Sequence, residues 1–291
     1  MAAETATRRR IEARLDDLVA DNRFTIAVVF PVVGALLLLA SAESLVGPPL
    51  RYNPLLILLG TVVMRLPLVA GLAPVLDRRA SLGLAVLVGY AFGIELIGVT
   101  TGWPYGTFEY TIALGPMLAG VPLGLPVFFL PLVLNSYLLC LLVLGDAARR
   151  RAIRLVAVIA TVLLVDLVLD PGAVAIGFWS YEGGIYSGVP ASNYRGWVLS
   201  ATVSVVVLDL AFDRAALRAR LDGCGFMLDD LVSFVVLWGA INAYFGNWVP
   251  VGIALVLAGG LIRTDRFDFA VGTASRNRGC GGESGGDGIE R

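Results

Sequence analysis

The sequence predicts an all-α fold: a polytopic transmembrane helix bundle of about eight helices, with seven as the alternative count. Three observations predict it. Apolar residues make up 57% of the 291 residues and charged residues only 15%, against roughly 25% charged in ordinary soluble chains, and mean hydropathy is +0.81. Eight apolar runs approach the ~20 residues that span ~30 Å of hydrocarbon. The arginines, finally, fall in every second connection between those runs.

Residues 1–23 form a charged arm with amphipathic spacing, which predicts a helix on the cytoplasmic membrane surface. The spans follow at 24–46, 54–76, 81–100, 121–144, 152–170, 195–212, 226–246 and 248–262. The last is short and its preceding loop minimal, which keeps the seven-helix count open. Nineteen of the 22 basic residues occupy the arm and alternate connections. They are Arg8, Arg9, Arg10, Arg14 and Arg23; Arg78 and Arg79; Arg149, Arg150, Arg151 and Arg154; Arg214, Arg218 and Arg220; and Arg263, Arg266, Arg276, Arg278 and Arg291. The intervening loops carry only Arg51 and Arg195, and Arg65 lies inside the second span. By the positive-inside rule both termini are cytoplasmic and the protein is a multi-pass component of the cell membrane. The organisation expected is an arm over 1–23, a transmembrane catalytic domain over 24–265, and a Gly-rich tail over 266–291 that is disordered.

Absences exclude several chemistries. Every basic residue is Arg, with no Lys and no His. Ser-His-Asp and Cys-His catalysis, His metal sites, Schiff-base lysines and P-loop lysines are all ruled out. A formal net charge of -1 argues against a nucleic-acid partner. Cys140, Cys224 and Cys280 show no CxxC spacing, so neither a metal site nor a disulfide framework is expected.

Ionisable groups inside helices cost about 2.5–3.5 kcal/mol on insertion scales and are functional candidates by default. They are Glu43, Arg65, Glu95, Asp166, Asp170 and Asp209. Odd-numbered helices run outward in this topology, so Glu43, Glu95, Asp166 and Asp170 approach the outer layer, with Asn242 and Asn247. Asp166 and Asp170, four residues apart, share one helix face. Structural readings compete. Glu43 can snorkel, Arg65 can be a counter-ion to one of the acids, Asp209 can be interfacial, and Asp170 before Pro171 can end a helix. Trp103 and Trp179 can be aromatic-belt anchors.

Two aromatic loops follow these acids. Trp103, Tyr105 and Tyr110 have the spacing of Trp179, Tyr181 and Tyr186, and each set precedes a Gly-Val-Pro. Gly102–Gly106 and Asp170–Gly172 are turn-forming. Irregular backbone at membrane depth is tolerated only against protein or a cavity, so the loops are expected to fold inward as a lid over the carboxyls.

A neutral carboxylic acid in an apolar site can protonate an alkene. Aromatic faces stabilise the resulting tertiary cation by roughly 2 kcal/mol or more each when desolvated, and an ionised carboxylate can activate the attacking water. At these residues the chain resembles a known family. The runs TGWPYGTFEYTIALGPMLAGVPLGLPVFF (Thr101–Phe129) and LDPGAVAIGFWSYEGGIYSGVPASNYRGW (Leu169–Trp197) are similar to the membrane carotenoid hydratases, specifically the haloarchaeal members that act in C50 carotenoid synthesis. The likeness covers roughly residues 24–265. It implies addition of water to the terminal C=C bonds of an acyclic C50 carotenoid, with no cofactor. Its implied partners are the carotenoid, water, the bilayer and other membrane enzymes of the same pathway.

Position and chemistry assign the roles. Asp166 or Asp170 is the proton donor and Glu95 the water-activating group. Trp103, Tyr105, Trp179, Tyr181, Tyr186 and Asn193 line the substrate site, and Glu109 and Glu182 order the entering water. A secondary transporter, a non-catalytic carotenoid-binding protein and a prenyltransferase are the alternatives. The last would use Asp16-Asp17 and Asp229-Asp230, which lack a third Asp at the right spacing for Mg²⁺.

Overall fold

The computed structural model describes residues 2–269. Among them ten α-helices carry the chain. The arm is α1 (Ala2–Asp21), which continues through a π-helical turn (Thr25–Val29) into α2 (Phe30–Ala42). There follow α3 (Pro54–Leu72), α4 (Arg78–Thr101), α5 (Leu125–Leu144), α6 (Arg151–Ala175) and α7 (Ala191–Ala211). The chain ends its helical course with α8 (Arg214–Gly223), α9 (Asp229–Tyr244) and α10 (Trp248–Arg263). Helix starts are written in side chains. Asn53 accepts from the Leu55 and Leu56 N–H groups with Pro54 at the first position, and Asp77 and Asp213 cap α4 and α8.

All eight expected spans are helical. Six are long and apolar enough to cross a membrane: Thr25–Ala42, Pro54–Val75, Arg78–Thr101, Leu125–Arg149, Arg151–Ala175 and Ala191–Ala211. The other two, α9 and α10, have 16 residues each, about 24 Å at 1.5 Å per residue. The seventh begins later than the 226–246 run because Asp229 and Asp230 open it and are held by arginines. Pro171 does not end the fifth span at Asp170: α6 runs on to Ala175. Its missing N–H leaves the Leu167 carbonyl without a helical partner, and the Tyr186 hydroxyl donates to that carbonyl at 3.2 Å. The centre of the bundle is α5, buried at every position from Leu132 to Leu141.

One end of the bundle gathers the loops after α2, α4 and α6. There β1 (Phe108–Tyr110) pairs antiparallel with β4 (Trp179–Tyr181), so the two aromatic loops form one ribbon. A small hairpin of β2 (Met117–Leu118) and β3 (Val121–Pro122) lies beside it in sequence. Tyr52 ties the first loop down by donating to the Ile176 carbonyl at 2.5 Å.

The other end gathers arginines, which act as forked donors to helix C-terminal carbonyls. Arg8 reaches the Ala73 and Leu76 carbonyls (2.8 and 3.0 Å), Arg220 that of Gly71 (3.0 Å), and Arg154 that of Ala148. Arg266 is buried and donates to Leu221 and Cys224 (2.6 and 2.8 Å), and Phe269 packs edge-on against Phe24. From residue 270 on, the expectation for the Gly-rich tail lies outside the described residues. Cys140 is free and buried.

Arginines hold Asp16, Asp209, Asp229 and Asp230. Arg23 holds Asp229 through two contacts of 2.8 and 2.9 Å. Arg220 holds Asp16 at 2.9 Å. Arg65 is a counter-ion as expected, but its acid is Asp230, which also accepts from Asn135 at 2.7 Å. These pairs occupy both Asp-Asp motifs. Asp209, near the end of α7, has a side chain only 5% exposed. Arg154 grips it with both branches at 2.7 and 2.5 Å, and Tyr137 donates to it at 2.8 Å.

Removing one member of such a pair strands the other in the core, which costs about 3–5 kcal/mol. Arg154→Met is therefore expected to lower the thermal transition in detergent sharply. The double change R154M/D209L should recover most of the loss, read by size-exclusion after a heating series.

Candidate functional site

Asp166 and Asp170 project from one face of α6 and are 1% and 4% exposed. Asn193, near the start of α7, bridges them. Its amide nitrogen donates to Asp170 Oδ2 at 2.5 Å and to Asp166 Oδ2 at 3.2 Å. The Tyr181 hydroxyl also donates to Asp170 Oδ2, at 3.0 Å. On α4, Glu95 accepts from the Tyr110 hydroxyl. Each side of the β1–β4 ribbon thus plants one phenol on a carboxyl. Burial first, then the neighbouring acids, raise both phenols above their ordinary value, so each keeps its proton and is the donor. Among the described residues no arginine pairs with Glu95, Asp166 or Asp170.

These groups face a cavity of about 480 Å³, within the range that holds a drug-sized ligand. Glu95 and Asp170 line it, and Asp166 does not. Asp166 sits behind, with its second oxygen buried and unpartnered. The remaining wall is mostly hydrocarbon and aromatic, with Ser41, Asn53, Thr61 and Arg65 among its polar members. Phe129 stacks on Trp197 at 5.7 Å and 18°, and Phe178 meets Trp238 edge-on. Tyr105 donates to or accepts from Ser200 at 2.7 Å. It seats against α7 because Gly196 has no side chain: a Cβ there would lie 2.4 Å from the ring.

Of the residues expected from sequence, the structure brings together Glu95, Asp166, Asp170, Tyr105, Trp179, Tyr181 and Asn193. Four expected lining residues stand apart. Trp103 is 57% exposed on the outer surface, where a belt-anchor role suits it. Glu109 and Glu182 are exposed. Glu109 lies opposite Ser180 in the ribbon, whereas Phe108, Tyr110, Trp179 and Tyr181 share the inward face, as strand alternation requires. Tyr186 is spent on the Leu167 carbonyl. Glu43 is exposed at the end of α2. Lining residues not foreseen include Tyr110, Phe129, Phe178, Trp197 and Trp238. One signal was available for Trp197, which is four residues from Asn193 and therefore on its face of α7.

With this geometry in place, comparison with known proteins is specific. The family model described as carotenoid biosynthesis protein matches residues 52–261. The bisanhydrobacterioruberin hydratase of Haloarcula japonica is 62% identical over 264 residues, covering 90% of this chain and 90% of that protein. No solved structure matches.

Asn193 supplies the hydrogen bonds that both aspartyl groups share, and an unsatisfied buried acceptor costs about 1–3 kcal/mol. Asn193→Leu, similar in size but without donors, is expected to destabilise by at least that amount. Asn193→Gln, which keeps the donors, should fall between Leu and wild type in a thermal unfolding series.

Proposed function

We propose, for a chain that belongs to the carotenoid biosynthesis protein family, that it is a cofactor-independent hydro-lyase acting on an acyclic C50 carotenoid. It adds water to the terminal C=C bonds, turning bisanhydrobacterioruberin into bacterioruberin. The observation that carries this reading is the pair Glu95 and Asp170, matched with no arginine among the described residues, facing a cavity walled mostly by hydrocarbon and aromatic rings.

The geometry favours Asp170 over Asp166 as the donor. Both protein donors, Tyr181 and Asn193, converge on Asp170 Oδ2, which leaves Oδ1 for the acidic proton on the cavity side. That O–H protonates the less substituted alkene carbon, and the electron pair of the double bond becomes the new C–H bond. The cation at the tertiary carbon is flanked by the faces of the lining aromatic residues, each worth roughly 2 kcal/mol or more in a dry site. A water then adds its oxygen to that carbon and gives a proton to Glu95. Returning this proton to Asp170 through water restores both groups, so alkene and water are the sole reactants. Asp166 shares the Asn193 donor with Asp170 and supports its protonated form.

Sidedness belongs to the same proposal. The arginine-rich end, with both chain termini, faces the cytoplasm. The aromatic ribbon and the carboxyls lie toward the outer leaflet of the cell membrane.

The test is expression in a host that makes the unhydrated C50 carotenoid, with products read by mass. Asp170→Asn is expected to lose at least ~100-fold in turnover, the ordinary worth of a general acid, while Asp166→Asn loses less. Reaction in deuterated water should place deuterium on the carbon next to the new carbinol. Normal turnover by Asp170→Asn, or absence of that deuterium, refutes the mechanism.

A further inference from the structure

The cavity is not closed on its α2–α3 side. Phe30, Val33, Gly34, Leu37, Leu38 and Ser41 line it from α2, at spacings that form one helix face. Leu56, Leu59, Gly60, Val63 and Met64 line it from α3. Several of these residues belong at once to the cavity and to the outer surface: Val33 is 56% exposed and Leu59 61%. A wall residue with that much exposure marks an opening, and in an apolar bundle this opening faces hydrocarbon. Gly60 stands beside it, and a Cβ built there would meet nothing within 4 Å. From Phe30 to Ser41 the face runs about 16 Å at 1.5 Å per residue, roughly half the ~30 Å hydrocarbon thickness. The carboxyls sit deeper, on α4 and α6, behind this slot.

A cavity of about 480 Å³ holds a drug-sized molecule, and hence one end of a fifty-carbon chain but not the whole. The rest must leave the protein somewhere. The lid side is closed by the ribbon and its phenol–carboxyl contacts, whereas the α2–α3 side offers an apolar exit of one chain's length scale.

We propose that the slot between α2 and α3 is the lateral entry and resting groove for the polyene chain. Gly60 keeps it open, and the polyene lies partly in the bilayer while its end reaches Asp170 and Glu95. This rests on the hydratase reading and adds the route and the specificity-determining position. Bulk at Gly60 selects against long chains while leaving the reacting groups untouched.

Gly60→Phe and Val33→Trp test it in vesicles, with two substrates: the C50 carotenoid and a C10 acyclic terpene ending in the same (CH₃)₂C=CH– group. Both variants are expected to shift the ratio of kcat/KM values toward the short substrate by about tenfold or more. Val156→Phe, which adds an aromatic ring at an exposed position of α6 that does not line the cavity, should not shift it. An unchanged ratio in both slot variants overturns the proposal, even if overall activity or stability falls. Quenching of tryptophan emission by the C50 chain provides a readout that needs no turnover, since Trp179, Trp197 and Trp238 line the cavity. If the wild type leaves the carotenoid chemically unaltered, the functional reading fails. The slot is then judged by quenching alone: loss in Gly60→Phe supports it and wild-type quenching overturns it.

Discussion

A carboxyl in hydrocarbon must be neutralised either by a cation or by a proton, because leaving it charged and alone is prohibitively costly. This chain uses the two solutions in different halves of the bundle. Asp209, Asp229 and Asp230 each meet an arginine. Among the described residues, Glu95, Asp166 and Asp170 meet phenol hydroxyls, an amide and the Trp197 side chain, and no arginine. The first solution makes a scaffold and the second makes an acid. An arginine paired with these carboxyls would have fixed them as inert ions, and among the described residues none pairs with them.

The scaffold half explains why the chain uses arginine for every positive charge. A guanidinium can grip a carboxylate with two branches, as Arg154 does with Asp209, while a third nitrogen direction caps a carbonyl such as that of Ala148. One side chain thereby links α6, α7 and the end of α5. Holding these helices rigid matters at the opposite end, where α6 and α7 present Asp170 and Asn193 to each other at 2.5 Å. The aromatic ribbon performs the same service from outside. Its inward phenols fix Glu95 and Asp170, and the next loop residue, Tyr186, repairs the carbonyl that Pro171 leaves without a donor. Pro171 can then sit beside Asp170 without ending the helix.

Much of this was legible before any coordinates, for physical reasons. Apolar runs and alternating arginines report the helices because burying charge in lipid is so expensive, and Asp166 and Asp170 reveal a shared face through their spacing. The lid was legible because Gly, Pro and aromatic residues at that depth have few other uses. What stayed hidden depends on contacts between distant segments. Nothing local pairs Arg65 with Asp230, 165 positions away, and an Asp-Asp pair at a helix start reads as a surface feature. Trp238 and Phe129 look like any large apolar residue within a span. Glu109 and Tyr110 could not be sorted until the register of β1 against β4 decided which faces inward.

The placement of the acids near one end of the bundle also gives the reaction a direction. The substrate's end is apolar when it enters through a hydrocarbon-lined gap, and the product's end carries a hydroxyl. Beyond the reach of Glu95 and Asp170, an alcohol left without a hydrogen-bond partner among the apolar wall residues costs about 1–3 kcal/mol. The same group gains water once it reaches the headgroup layer. On the proposed sidedness and groove, the carboxyls lie at the lid end of the cavity, so the hydroxyl would form close to that layer and the polyene need only slide along its own axis in the slot for the new end to reach the interface. On the proposed route, sliding toward the interface gives the new hydroxyl water in place of the polar groups of the site, so the change in polarity made by the chemical step favours release along the groove.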